Sequence, residues 1–92
     1  MKVAVRYMAQ LKDAAGVASD ELELGASCAV AEVLRLVADR HGEALRRLLL
    51  TGDGRPQATI LVFHGDAQVG GEQVLRLRDG DVLTVLAPMA GG

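Results

Sequence analysis

Residues 25–42, GASCAVAEVLRLVADRHG, carry the pattern that decides the fold. Four apolar residues recur there at positions i, i+3, i+4 and i+7, namely Val30, Val33, Leu34 and Val37. This spacing is typical of an amphipathic helix that buries one face. Ser27 is a candidate N-cap and Gly42 a candidate C-terminal stop, as hydroxyl side chains and glycine commonly take these positions. The segment therefore predicts one main helix, against which the other elements must pack.

Strand patterns lie on both sides of this helix. Residues 2–9 (KVAVRYMA) and 20–24 (DELEL) alternate between apolar and polar, and their spacing suits an antiparallel hairpin with a wide loop. Residues 58–64 (ATILVFH) form a nearly continuous apolar run, which predicts a central strand buried on both faces. Residues 81–87 (DVLTVLA) predict the last strand, and Pro88 ends it because proline has no amide for the ladder.

Shorter features fill the remaining gaps. Residues 43–50 predict a second, shorter helical stretch, residues 51–57 a loop, and residues 65–77 a very short strand or helical turn. RDGD at residues 78–81 predicts a tight turn. The resulting order is strand, strand, helix, strand, short strand, strand. This order predicts a two-layer α+β domain of the β-grasp type, with a mixed sheet of four to five strands packed on one main helix.

Composition narrows the class of function. The 92 residues suit a single domain spanning 1–92, and the net charge is −2 with Tyr7 and Phe63 as the aromatic residues. This balance argues against nucleic acid as a ligand, because a basic stripe and stacking aromatics are both missing. The N-terminus shows no signal-peptide pattern and no apolar run is long enough to span a membrane, so we expect a cytoplasmic protein. The single cysteine, Cys28, excludes an internal disulfide.

Motifs for metal binding and for self-contained catalysis are weak. His41 and His64 have no partner at metal-ligand spacing, so no metal site is expected. TGDGRP at residues 51–56 lacks the lysine and hydroxyl residue of a phosphate-binding loop. No nucleophile–base pair or pair of carboxylates can be argued from spacing. The chain is therefore not expected to be an enzyme by itself.

The C-terminal residues 88–92, PMAGG, offer a different kind of chemistry. Glycine has no Cβ, so Gly91 and Gly92 can lie extended in a narrow channel and leave the terminal carbonyl open to a nucleophile. A carboxylate is unreactive, but it becomes a good electrophile as an acyl-adenylate. Residues 88–92 are therefore predicted to form a flexible reactive arm.

Two stretches resemble a known family. DGDVLTVLAPMAGG, residues 79–92, is similar to the C-terminus of the MoaD/ThiS sulfur carriers, which are ubiquitin-like β-grasp domains ending in Gly-Gly. VRYMAQLKDAAG, residues 5–16, resembles the first strand and loop of the MoaD group, the small subunits of molybdopterin synthase. The resemblance covers nearly the whole chain in order and length.

The resemblance implies a role for each C-terminal residue. An adenylyltransferase of the MoeB/ThiF type would use ATP to adenylate Gly92, and sulfur would then replace AMP to give a thiocarboxylate. A MoaE-like large synthase subunit would accept the arm and use the sulfur for molybdopterin. Gly91 would leave the Gly92 carbonyl accessible to the attacking nucleophile. Ala90, Met89 and Pro88 would form the part of the arm that inserts into the partner. The chain would bind no cofactor, and the catalytic side chains would belong to the partner.

The folded domain is also expected to contact its partners through an exposed apolar face of the last strand, with Leu83 and Val85 as candidate contact residues.

Three other functions stay open at this point. The same carrier chemistry could serve cysteine synthesis, thiamine synthesis or tRNA thiolation. A ubiquitin-like modifier would instead join Gly92 to lysines of target proteins. A non-reactive interaction module would carry its Gly-Gly by accident. Removing Gly92 separates this last function from the other three.

Overall fold

A computed structural model describes residues 1–88 of the chain, and Met89–Gly92 lie outside the described residues. The described helices and strands follow in chain order: β1 Lys2–Tyr7, α1 Gln10–Ala15, β2 Ser19–Glu23, β3 Ser27–Ala29, α2 Val30–His41, α3 Glu43–Leu49, β4 Leu61–His64, β5 Ala67–Val69, β6 Val74–Arg76 and β7 Val82–Leu86. Within residues 1–88, the helices are all too short or too polar to cross a membrane.

Alternating apolar residues in the first and last strands bring the two ends of the chain together in one sheet. The five-stranded sheet has the order β2-β1-β7-β4-β5, so β7 is the central strand. β1 pairs antiparallel with β2 and parallel with β7, while β4 pairs antiparallel with β7. The hairpin and the mixed α+β architecture are thereby confirmed. A separate two-stranded sheet joins β3 to β6.

The apolar face of α2 lies in the core, as its periodicity predicts. Val30, Val33, Leu34 and Val37 are each 2% exposed or less. They share one continuous cluster with the inward-facing residues of the sheet and with α1 and α3. The largest fully buried side chains are Leu11, Leu34, Leu45, Leu49, Leu83, Val3, Val5, Val30, Val33, Val37 and Val85.

The sequence predicts the C-terminal end of α2 correctly but not its N-terminal end. Gly42 ends the helix with a positive φ of 99°, and its amide donates to the Ala38 carbonyl at 2.9 Å, as expected for a glycine stop. The prediction of Ser27 as the N-cap is wrong. Ser27 pairs with Arg76 in the small sheet, and the helix begins three residues later, where the Val30 amide donates to the Gln73 carbonyl at 2.9 Å. A distant backbone carbonyl thus replaces the local side-chain cap.

The apolar run at residues 58–64 contributes a shorter strand than predicted. β4 covers Leu61–His64 and is the second strand from the edge of the sheet. Of its four residues, Val62 is buried and the other three are partly exposed. The prediction of a central strand buried on both faces is therefore wrong. β7 takes the centre, because it pairs with both β1 and β4.

The exposure predicted for two residues of β7 is also wrong. Leu83 is 1% exposed and Val85 is 0% exposed, so neither offers a surface to a partner. Alternate residues of a strand point to opposite faces, and this pair points toward the helices. The partly exposed side chains of β7 are those of Val82, Thr84 and Leu86.

Candidate functional site

The base of the C-terminal arm lies at the end of the central strand. β7 ends at Leu86, Ala87 is buried, and Pro88 is exposed. The side-chain amide of Gln10 donates to the Ala87 carbonyl across 3.5 Å, a long contact. The predicted arm residues Met89, Ala90, Gly91 and Gly92 lie outside the described residues. The structure therefore locates the point from which the arm begins.

A tight turn between β1 and α1 brings Gln10 to this place. The Met8 amide donates a hydrogen bond to the Val85 carbonyl of β7 at 3.1 Å. The Leu11 amide donates to the Met8 carbonyl at 3.1 Å, which closes the turn over residues 8–11. Between them, Ala9 has φ 50° and ψ −123°, a conformation that L-residues rarely adopt. The strained turn directs the chain from β1 into α1 beside the end of β7. Sequence periodicity gives no signal for this conformation.

A groove accompanies the base of the arm. It has a volume of about 330 Å³, and Gln10, Arg47, Leu48, Ala87 and Pro88 are among its lining residues. Arg47 also pairs with Glu43 of its own helix at 3.6 Å, with both side chains largely exposed. The groove therefore combines apolar walls with a polar rim next to the last described residue.

The outward side of the sheet forms a second surface, which we call the outer sheet face. The strand register aligns its members, which are Ala4 and Arg6 of β1, Val82, Thr84 and Leu86 of β7, and Leu61 and Phe63 of β4. Apart from the exposed Arg6, these side chains are partly buried, so the middle of the face is mainly apolar. Toward β2 the same side of the sheet becomes polar and charged, with the exposed residues Lys2, Ser19, Glu21 and Glu23. Partner contacts were predicted on the inward residues Leu83 and Val85, because both sets of alternate residues in β7 are mostly apolar.

The titratable groups of the interior form structural pairs instead of a catalytic centre. Asp20 accepts hydrogen bonds from the Tyr7 hydroxyl at 2.5 Å and from the His41 ring, and Arg40 lies 3.4 Å from its other oxygen. Burial and the hydrogen bond to Asp20 raise the pKa of Tyr7. Burial alone would raise the pKa of Asp20, but the hydrogen bonds from Tyr7 and His41 and the Arg40 charge lower it. This cluster connects the first hairpin to the end of α2.

The second histidine and the cysteine have equally local roles. His64 lies 2.8 Å from Asp81, which also accepts from the Arg78 amide at 2.9 Å in the predicted RDGD turn. The hydrogen bond from His64 lowers the pKa of Asp81. Cys28 is partly buried, and burial together with the Glu32 charge raises the pKa of its thiol. A raised thiol pKa reduces the nucleophilic thiolate fraction at neutral pH.

Solved structures with the same fold cover almost the whole chain. SAMP1 of Haloferax volcanii has a TM-score of 0.85 and 21% identity, and the match covers 100% of both chains. A putative molybdopterin converting factor, subunit 1, of Pyrococcus furiosus has a TM-score of 0.71 and 28% identity, over 97% of this chain and 99% of that chain. The BexX/CysO complex of Amycolatopsis orientalis contains a chain with a TM-score of 0.71 and 29% identity, over 98% of this chain and 99% of that chain.

These likenesses confirm the ubiquitin-like β-grasp fold. No curated protein matches the chain. The model of the ThiS family matches residues 5–92, which includes the strained turn, the central strand and the diglycine. The match therefore covers both the arm and the elements at its base, and the chain belongs to the ThiS family.

Proposed function

We propose that this protein is a sulfur carrier whose reactive group is the carboxylate of Gly92. The observation that carries the proposal is the family match through residue 92, because it includes the diglycine as well as the folded body. Among the described residues, His41 pairs with the partly buried Asp20 and His64 pairs with Asp81. The catalytic side chains therefore belong to partners.

The proposed chemistry has two stages. The Gly92 carboxylate attacks the α-phosphate of ATP on an adenylyltransferase of the MoeB/ThiF type, giving an acyl-adenylate and pyrophosphate. A persulfide then attacks the activated carbonyl and expels AMP, and a thiol cleaves the resulting acyl persulfide to leave the thiocarboxylate and a disulfide. Gly91, Ala90, Met89 and Pro88 form the inserted arm. ATP is used by the partner, and the carrier binds no cofactor of its own.

The favoured acceptor pathway is the synthesis of molybdopterin. The protein would act as the small subunit of a synthase completed by a MoaE-like large subunit. The likeness to the putative molybdopterin converting factor subunit, at 28% identity over nearly the whole chain, supports this choice. In that complex the arm would enter the active site of the large subunit, while the outer sheet face, through Val82 and Leu86, would contact the partner's surface.

One observation supports a second candidate acceptor pathway. The chain is 29% identical to a protein solved in a BexX/CysO complex, and the match covers 98% of this chain. A carrier in a pathway other than molybdopterin synthesis would use the same activated glycine but a different acceptor enzyme. Cysteine synthesis is the alternative acceptor reaction that we would test first.

Intact mass spectrometry tests the carrier chemistry. The protein is incubated with ATP, a sulfur donor and an extract that thiolates a known carrier. We expect a mass gain equal to the replacement of one oxygen by sulfur, and no gain in a variant that lacks Gly92. No gain in the intact protein, in an extract that does modify the known carrier, would exclude the proposal. An isopeptide bond from Gly92 to target lysines would instead support a protein modifier.

The acceptor is tested with the thiocarboxylated protein. It is mixed either with a MoaE-like subunit and a pyranopterin precursor or with a cysteine-forming enzyme and its activated serine substrate. Conversion of the pterin to its dithiolene, with loss of sulfur from the carrier, supports the molybdopterin role. Sulfur transfer in the second mixture alone would assign the protein to cysteine synthesis.

A further inference from the structure

Arg6 is a cation of the outer sheet face, and the residues directly opposite it on both neighbouring strands are uncharged. Arg6 lies opposite Ser19 of β2 on one side and opposite Thr84 of β7 on the other. The row continues from Thr84 to Phe63 of β4. The cross-strand positions beside Arg6 therefore supply two hydroxyl groups and no carboxylate.

Five of the other seven arginines have an intramolecular carboxylate partner, while within residues 1–88 Arg76 of the small sheet and Arg78 of the RDGD turn make no salt bridge. Each of the following lies within salt-bridge distance of an aspartate or glutamate: Arg35, Arg40, Arg46, Arg47 and Arg55. Within residues 1–88, the guanidinium of Arg6 makes no such pair, and Glu21, one row along β2, does not come within 4.0 Å. Arg6 thus keeps its donors available on a surface that is otherwise mainly apolar.

A cleft adjoins Arg6 and carries a second cation. It has a volume of about 510 Å³, and Arg6, Met8, Lys12 and Ser19 are among its lining residues, none of which is acidic. Met8 is 41% exposed and belongs to the strained turn at the base of the arm. The cleft therefore joins the outer sheet face to the place from which the arm begins. A protein that binds the arm and rests on this face must come close to both cations.

We propose that Arg6 is a specificity-determining residue that pairs with a carboxylate of the activating adenylyltransferase. The proposal rests on the proposed carrier function, and it names this partner because activation is the step that every acceptor pathway shares. The apolar members of the outer sheet face can contact many surfaces equally well. A partner without a carboxylate at this position would leave the guanidinium partly desolvated and unpaired, which disfavours that complex. The pair would also guide encounter through charge attraction.

The test measures ATP–pyrophosphate exchange by a purified MoeB/ThiF-type adenylyltransferase from the same genome, at varied carrier concentration. We compare the wild type with Arg6→Glu, Arg6→Lys and Arg76→Glu. Arg76 is exposed on β6 in the separate small sheet, so Arg76→Glu makes the same charge change away from the outer sheet face. Thermal unfolding confirms that each variant is folded.

We expect Arg6→Glu to raise the KM for the carrier by about tenfold or more, and kcat to change little, because the lost contact acts in binding. Arg6→Lys should give an intermediate KM, and Arg76→Glu should stay within about twofold of the wild type. Added salt should reduce the difference between wild type and Arg6→Glu. Exchanging the enzyme's facing carboxylate for arginine should restore binding of Arg6→Glu.

Two results would overturn this inference, and they differ in what else they affect. Equal KM values for Arg6→Glu and Arg76→Glu would remove the role of Arg6 and leave the carrier function intact. An enzyme that exchanges with a known carrier but not with the wild-type protein would contradict the carrier function itself, and the role of Arg6 with it.

Discussion

At the scale of single residues, Ala9 is in a conformation that costs stability. Its φ of 50° and ψ of −123° correspond to the first central position of a type II′ turn, and the Leu11 amide closes that turn on the Met8 carbonyl. Glycine normally occupies this position because a Cβ makes it unfavourable. Such strain costs of the order of 1–3 kcal/mol and often occurs where a function needs a fixed geometry. Here the geometry places Gln10 beside the base of the arm.

Replacing Ala9 with glycine should therefore stabilise the protein. We expect Ala9→Gly to raise the free energy of unfolding by about 1 kcal/mol, since the relief of strain exceeds the added freedom of the unfolded chain. Urea denaturation measures the change. The control, Ala14→Gly in α1, should lower the same free energy by about 0.5–1 kcal/mol. A loss of stability in Ala9→Gly would show that Ala9 is not strained.

At the scale of elements, a polar cluster fixes the first hairpin to the end of the main helix. Asp20 of β2 accepts from Tyr7 of β1 and from His41 of α2, and the rings of Tyr7 and His41 meet edge to face with centroids 5.9 Å apart. The lowered pKa of Asp20 means that its carboxylate is stabilised by folding. Such a group contributes stability above its unfolded pKa and loses that contribution as the pH falls through its folded pKa.

The contribution of Asp20 should therefore depend on pH in a predictable direction. We expect Asp20→Asn to lower the melting temperature near pH 7, and the gap to wild type to shrink as the pH falls below about 4, where a free aspartate becomes protonated. Thermal unfolding between pH 7 and pH 2 measures this gap. Asp13→Asn, at an exposed position of α1, is the matched control and should cause a smaller loss. A gap that does not depend on pH would argue against the charge as its cause.

Local patterns predicted the elements whose contacts are close in sequence. The helical face of α2, its glycine stop and the RDGD turn follow from spacing within a few residues. The small sheet could not be predicted in this way. Its three-residue strands carry little pattern, and Ser27 pairs with Arg76, which lies far along the chain. At the site, the reactive role of the diglycine was predicted from the chemistry of glycine and from the family resemblance, and Gly91 and Gly92 lie outside the described residues. The outward residues of β7 were missed, since alternation alone does not say which side meets the helices.

At the scale of the whole molecule, the two sides of β7 face different surroundings. Leu83 and Val85 point into the core and are almost completely buried, while Val82 and Leu86 belong to the outer sheet face. The same five-residue strand therefore supports the fold on one side and offers a surface on the other.

Substitutions on the two sides of β7 should separate these effects. We expect Leu83→Ala to lower the free energy of unfolding by about 2–5 kcal/mol, because it leaves a cavity in the core. Leu86→Ala should cost less stability and should weaken binding to the adenylyltransferase. Urea denaturation and the KM for the carrier measure the two effects. A larger stability loss in Leu86→Ala than in Leu83→Ala would contradict this division of roles.

The position of β7 between β1 and β4 also determines how the body responds to mechanical force. A partner that draws the arm into a narrow site pulls on Pro88 along the axis of the strand. The ladders to parallel β1 and antiparallel β4 run across that axis, so the pull loads many hydrogen bonds together in shear. Peeling at an edge strand would break such bonds one after another. Under the proposed function, tension on the arm would therefore be resisted by both ladders of β7 at once.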